Sequence, residues 1–294
     1  MEHTQSSLFK PVRILSAIAF TLAILAVLVV PVFAKEGQEE MNANTQTSPS
    51  YSTDRIADDQ TVKNVVLVHG AFADGSGWRG VYERLTARGY RVTIAQNPLT
   101  SLEDDVAATQ RVLDRQDGPT ILVGHSWGGT VITEAGVHPN VVGLVYISAL
   151  SPDAGETTAQ QYEGFAATPD FVIDVGEDGY GFLNLDKFKA GFAHDVSDAE
   201  AAFMRDSQVP INMSVFGTPL QHAAWQTKPS WAVIATEDRA FDLAMLRHMA
   251  NRIGATITEV PASHSVFMTQ PDVVADTIHR AAQGALITVN PTTA

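Results

Sequence analysis

The chain has 294 residues, 45% of them hydrophobic and 18% charged, which suits a folded enzyme-sized domain and excludes a disordered or fibrous chain. Its 33 acidic against 19 basic residues leave a net charge of −14, a balance that repels phosphate backbones and excludes nucleic acid as an expected partner. The absence of cysteine excludes thiol catalysis, disulfides and thiolate metal sites together.

At the N-terminus, Lys10 and Arg13 precede an apolar run from Ile14 to Val30 that closes on Pro31-Val32-Phe33-Ala34 before Lys35. A basic stretch, an apolar stretch and a small-residue site in that order read as a secretory signal, so residues 1–34 are expected to be cut after Ala34 and the remainder exported, to the periplasm or the medium. The run is nearly as long as the roughly 20 residues that span a bilayer, so an uncleaved anchor is the alternative. Either way, membrane contact is expected only through this segment. Residues 35–61 are rich in Glu, Gln, Asn, Thr and Ser without apolar periodicity and read as a flexible linker.

From Val62 to the C-terminus the sequence alternates short β-branched runs with helical stretches, the pattern of a parallel sheet with crossover helices. In order, the expected elements are a strand at Asn64–Val68, a helix at Val81–Arg88, a strand at Arg91–Ile94 and a helix at Leu102–Arg115 opening on Ser101. A strand at Thr120–Val123, a helix at Trp127–Val137 and a strand at Val141–Ser148 follow. Residues 151–228 break the alternation and carry nine large aromatic residues between Phe165 and Trp225, which reads as a cap insert over a site. Those rings suit an apolar substrate and equally suit packing of the cap onto the core. The core resumes with a strand at Trp231–Ala235, a helix at Leu243–Arg252, a last strand at Thr256–Val260 and a helix at Asp272–Gln283.

The chemistry starts at Gly124-His125-Ser126-Trp127-Gly128, between an apolar strand and a helix. Glycines on both sides allow a tight strand-to-helix turn that lifts the Ser126 hydroxyl out of the sheet. A serine needs a base, and His264 in Ala262-Ser263-His264 just past the last strand stands at the sheet edge where sites of open α/β folds gather. The base needs a carboxylate: Asp238 in Thr236-Glu237-Asp238 is the best placed, with Glu237 and Asp153 as rivals. For the oxyanion, the backbone N–H of Trp127 and that of Ala71, in His69-Gly70-Ala71-Phe72, form the expected pair of donors. His69 itself reads as a loop brace, while His194 and His222 are cap residues with a possible reach to substrate. The acidic, glycine-rich stretch Asp174–Gly181 misses calcium-loop spacing.

With His69-Gly70, Gly124-His125-Ser126-Trp127-Gly128-Gly129, Thr236-Glu237-Asp238 and Ser263-His264, the stretch Val65–Gln283 resembles the α/β-hydrolase superfamily, in particular small bacterial esterase-like hydrolases and, more distantly, plant methylesterases and hydroxynitrile lyases. The resemblance implies an α/β-hydrolase fold: a mostly parallel central sheet with helices on both faces and a helical cap insert. It also implies a serine hydrolase that needs neither cofactor nor metal and cleaves a small-molecule ester, lactone or thioester. A lyase, or a perhydrolase or haloperoxidase-like activity, is the alternative on the same scaffold. A lyase should bring a cap lysine, Lys187 or Lys189, near Ser126.

Overall fold

The computed structural model describes residues 61–289. The expected signal or anchor (1–34) and all but the last residue of the expected linker lie outside the described residues.

Strands β1 (Asn64–Val68), β2 (Arg91–Ala95), β3 (Thr120–His125) and β4 (Val141–Ile147) are followed by an insert with three short strands, β5 (Ile173–Val175), β6 (Tyr180–Leu183) and β7 (Ile211–Asn212), before β8 (Ser230–Ala235) and β9 (Thr256–Val260) return to the core. The core sheet has the order β2-β1-β3-β4-β8-β9, and every pairing in it is parallel. Its central strands β1, β3, β4 and β8 are nearly continuous apolar runs because both faces are covered, whereas the edge strands β2 and β9 mix in Arg91, Thr93, Thr256, Thr258 and Glu259 and are partly exposed. Val65, Leu67, Ile121, Val123, Val145, Ile147, Val233 and Ala235 point to one face, and Val66, Val68, Leu122, Leu144, Tyr146, Ala232 and Ile234 to the other.

Helix α1 (Arg79–Ala87) packs on the first face, supplying Val81 and Leu85, together with α7 (Val266–Thr269) and α8 (Pro271–Val289). Helices α2 (Leu102–Leu113), α3 (Trp127–Ala135) and α6 (Leu243–Arg252) cover the second. Each fully buried Leu, Ile or Val contributes about 2 kcal/mol relative to exposure. Ser101 starts α2 as foreseen, accepting from the Asp104 amide at 3.0 Å. The last helix runs past the expected end at Gln283, through Gly284, to Val289. Among the described residues no helix is long and apolar enough to cross a membrane.

The order of the sheet places the site. From β1 the chain steps outward to β2, then returns across β1 to β3, so the loops after β1 and β3 diverge at a switch point where open sheets bind ligands. Four non-glycine residues with positive φ are described, Phe72, Leu99, Ser126 and Ser148, and they follow the carboxyl ends of β1, β2, β3 and β4 in turn. Backbone strain is thus concentrated along one edge of the sheet.

The insert between β4 and β8 is only in part helical. It holds α4 (Phe188–Phe192) and α5 (Asp198–Asp206), and also the antiparallel sheet β5-β6-β7. Asp174–Gly181 belongs to that sheet's first hairpin, closed by Gly176 N–H to the Tyr180 carbonyl at 2.8 Å. Strands of two to four residues are too short to show a period of two in the sequence.

Candidate active site

Ser126 ends β3 and precedes α3 with φ 53° and ψ −122°, a conformation that holds its side chain above the sheet edge. Two glycines make the turn possible. A Cβ on Gly124 would sit 2.4 Å from the Gly128 carbonyl oxygen, and one on Gly128 would sit 2.7 Å from that of Val68. The Ser126 carbonyl accepts from Gly129 in α3 and from Leu150 just past β4, which locks the turn to the following helix and to the neighbouring strand's exit loop. Ser126 occupies the N-cap position of α3 but does not cap it, so its hydroxyl is free for another partner and the first amides of the helix face the site.

That partner is His264. Its Nε2 accepts from the Ser126 hydroxyl at 2.9 Å, and its Nδ1–H donates to Asp238 at 2.7 Å, with both side chains fully buried. The other oxygen of Asp238 accepts the amides of Ala240 and Phe241 at 2.8 and 2.9 Å, which fixes the carboxylate's orientation. Phe192 and Phe241 stand edge-on to the His264 ring, at 5.1 and 4.8 Å. Rings packed against the buried imidazole exclude water, which strengthens the charge interactions inside.

The other sequence candidates are accounted for by different contacts. Asp153 accepts from Gln226 and from its neighbour Ala154, away from the imidazole, and Glu237 contributes its carbonyl rather than its carboxylate. That carbonyl accepts from His194, so His194 holds the acid's loop. His222 pairs with Glu134 at 2.7 Å. Lys187 pairs with Asp170 at 2.8 Å and Lys189 with Asp198, and neither lines the cavity at Ser126.

His69 braces the loop after β1. Its Nδ1–H donates to Gly70, its Nε2 accepts from the Asn97 amide at 2.8 Å, and burial holds its pKa below the ordinary value. Beyond it lies Ala71, followed by Phe72 at φ 62°. No turn or loop hydrogen bond among the described residues uses the amide of Ala71 or of Trp127.

Ala71, Trp127 and Ser126 open onto one cavity of about 470 Å³. Leu150, Phe171, Ile173, Met213, Phe216 and Phe241 are among its large apolar wall residues, and no charged side chain lines it. A second cavity, of about 490 Å³, lies against Phe72 and Phe192 and carries Asp74, Arg79 and Glu200; Ser126 is not in its wall. Among the described residues there is no cluster of His, Asp and Glu placed to hold a metal ion.

Three contributors escaped the sequence reading. His125 donates from Nε2 to the His264 carbonyl at 2.9 Å, and burial, followed by the neighbouring His264, depresses its pKa far below the ordinary value. Asp195 in the insert accepts the Ser263 amide and the Thr269 hydroxyl, both at 3.0 Å, on either side of His264. Asp105 accepts the Trp127 indole N–H at 2.7 Å. Only Asp105 left a signal: it is a charge set among Leu102, Val106 and Leu113, the apolar positions of the buried face of α2.

Comparison with known proteins finds hydrolases and esterases among the relatives of this chain. The pyrethroid hydrolase of Sphingobium wenxiniae is 31% identical over 250 residues, 74% of this chain and 87% of that one. The carbendazim hydrolyzing esterase of a Nocardioides species is 26% identical over 238 residues, 72% of this chain and 97% of that one. The crystal structure of a pyrethroid hydrolase from Sphingobium faniae superposes with a TM-score of 0.65 at 26% identity, covering 76% of this chain and 98% of that one. With the model of the alpha/beta hydrolase family matching residues 65–277, this chain belongs to that family, as a carboxylesterase-like hydrolase.

Proposed function

We propose that the enzyme cleaves a small, uncharged, largely apolar carboxylic ester, or a lactone or thioester, through an acyl-enzyme on Ser126. The observation that carries this reading is the relay from Asp238 through His264 to the Ser126 hydroxyl at the wall of a cavity without charged side chains. Ser126 attacks the acyl carbonyl as His264 Nε2 takes its proton, and the amides of Ala71 and Trp127 hold the oxyanion, each donor contributing about 3 kcal/mol. The tetrahedral intermediate collapses, and His264 returns the proton to the leaving alcohol. Water then gives a proton to His264 and attacks the acyl carbon. The acid is released and the proton returns to Ser126. Asp238 holds the imidazole in the Nδ1–H form throughout and stabilises its cation.

The aromatic and aliphatic wall favours apolar acyl or alcohol groups, and the net charge of −14 disfavours anionic ones. The relatives named for pyrethroids and for carbendazim are in keeping with an apolar substrate. The test is hydrolysis of p-nitrophenyl esters from acetate to dodecanoate by the chain from residue 35 onward, beside Ser126→Ala. Activity with a chain-length optimum in the parent and a loss of at least about a thousand-fold in the variant are expected. Undiminished activity in Ser126→Ala would refute the acyl-enzyme. We also place the activity outside the cytoplasm, on the run from Lys10 to Ala34; a mature chain beginning at Lys35 is the expected mass, and an intact N-terminus on cytoplasmic protein is the contrary result.

A further inference from the structure

Among the described residues, Asp105 is the one fully buried carboxylate outside the relay, and no cation pairs with it. Burying a carboxylate is costly unless hydrogen bonds replace its hydration. Here both oxygens are used. One accepts the Trp127 indole N–H at 2.7 Å and the other the amide of Leu99, also at 2.7 Å. Leu99 is held at φ 60°, and its carbonyl accepts the amide of Asn212 at 2.9 Å, where β7 of the insert ends. Next to that junction, Met213 and Phe216 wall the substrate cavity, and Phe216 lies edge-on to the Trp127 ring at 5.4 Å. A single carboxylate therefore joins three parts: α2 of the core, the first residue of α3 and the root of a cavity wall.

We propose that Asp105 is a positioning residue: by gripping the indole of Trp127 and the amide of Leu99 it aims the Trp127 backbone N–H at the oxyanion and ties that donor to the wall contributed by the insert. The proposal rests on the acyl-enzyme reading above, because only there does the Trp127 amide meet a developing negative charge. Trp127 is the first helical residue after a strained serine, so its amide direction depends on how the residue is held from its side-chain end. A ring wedged by packing alone can rock about its χ angles. A ring whose N–H is fixed by a charge-assisted bond cannot do so without breaking that bond. Burial pushes the Asp105 carboxyl up to about 6, opposed by the bonds from Trp127 and Leu99; Asp104, on the same helix, is the one charge adding to the rise. Two donors thus face an acceptor whose ionised form depends on them.

The experiment compares Asp105→Asn, Trp127→Phe and the double variant with the parent, using p-nitrophenyl butyrate for kcat and KM and butylboronic acid as a mimic of the tetrahedral adduct. Ser126→Ala serves as the reference. Each single variant is expected to lower kcat about ten-fold with KM within two-fold, and to weaken the boronate by a similar factor, since the loss is confined to the transition state. The double variant should fall well short of the product of the two single effects, because the charge-assisted bond between indole and carboxylate is lost in each single variant. A folded Asp105→Asn enzyme with parental kcat and boronate affinity overturns the proposal, as do effects of the two changes that multiply. Should Asp105→Asn not fold, Trp127→Phe decides alone, and parental kcat in it overturns the proposal equally. A fully active Ser126→Ala would instead remove the acyl-enzyme reading, so the two failures are told apart.

Discussion

Asp238 shows how much one atom's hydrogen-bonding duty settles. One of its oxygens faces the two amides of Ala240 and Phe241 and must accept; the other faces the Nδ1–H of His264. In Asp238→Asn the amide oxygen is claimed by the two backbone donors, which turns the NH₂ toward the imidazole. Nδ1 must then accept, the proton moves to Nε2, and Nε2 no longer takes the Ser126 proton. We expect kcat to fall about 10³–10⁴-fold with little change in KM, and nitrogen NMR of His264 to show the Nε2–H tautomer; a variant retaining the Nδ1–H form would contradict this account. Asp105 carries the opposite burden. Its folded-state value, about 6, lies above the ordinary 3.8, so between those pH values the folded protein keeps a proton that the unfolded chain has lost. The ionised group therefore costs stability fully above about pH 6, and that cost disappears as pH falls below 3.8, a difference of up to roughly 3 kcal/mol. The stability of the parent relative to Asp105→Asn should accordingly decline as pH rises from 4.5 to 7.5 in chemical denaturation. A rising or flat difference would mean that the carboxylate is not strained by burial. A group that weakens the fold at the pH where it aligns the site is expected where function is kept at the expense of stability.

At the scale of elements, a four-residue stretch of the insert, Phe192 to Asp195, straps the two loops that carry the relay. The Phe192 carbonyl accepts from the Ser265 hydroxyl at 3.1 Å, His194 holds the Glu237 carbonyl at 2.9 Å, and Asp195 holds Ser263 and Thr269. Burial alone would raise the pKa of Asp195, but its hydrogen bonds from Ser263 and Thr269 outweigh it and the value is lowered, so at neutral pH the strap is an acceptor. Asp195→Ala should speed amide exchange in residues 263–269 and lower kcat about ten-fold, with the core strands still protected; unchanged exchange there would separate the strap from the histidine loop. None of this was legible in the sequence. The strands were, because β1, β3 and β8 are buried on both faces and bounded by turns, and the elbow was, because its glycines and flanking elements admit little else. His264 followed from its place after the last strand, and Asp238 from its place after the preceding one. The bonds of the strap join residues 43 to 74 positions apart in the chain, and no local period records such a separation. The short strands of the insert were missed for the related reason that two to four residues carry no pattern of their own.

For the whole molecule, the substrate cavity exists only while insert and core stay docked, since Ala71, Ser126, Trp127 and Leu150 come from the core and Tyr162, Phe171, Ile173, Met213 and Phe216 from the insert. The root of the insert is held by Arg252 at the end of α6. Its guanidinium donates to both oxygens of Glu156 at 2.9 Å and to the Ser151 carbonyl at 2.6 Å, and it lies over the Trp225 ring at 5.8 Å. Only 26% of that side chain is exposed, so truncation leaves one oxygen of Glu156 and the Ser151 carbonyl without this donor, and Glu156 without its counter-charge, in a half-buried place rather than in water. Arg252→Ala should cost about 2 kcal/mol, between the small loss typical of surface pairs and the larger one of buried pairs, which lowers the melting temperature of a domain this size by about 5 °C. The relay lies outside this contact, so the loss of activity should depend on how much of the substrate the insert must cover. An acetyl ester reaches little beyond Ser126, whereas a long acyl chain needs Phe171, Ile173 and Phe216 in place. Calorimetry beside the ester panel checks this: kcat/KM for long esters should fall several-fold more than for acetate. A uniform loss across the panel would mean that the root of the insert governs the relay itself rather than the walls of the cavity.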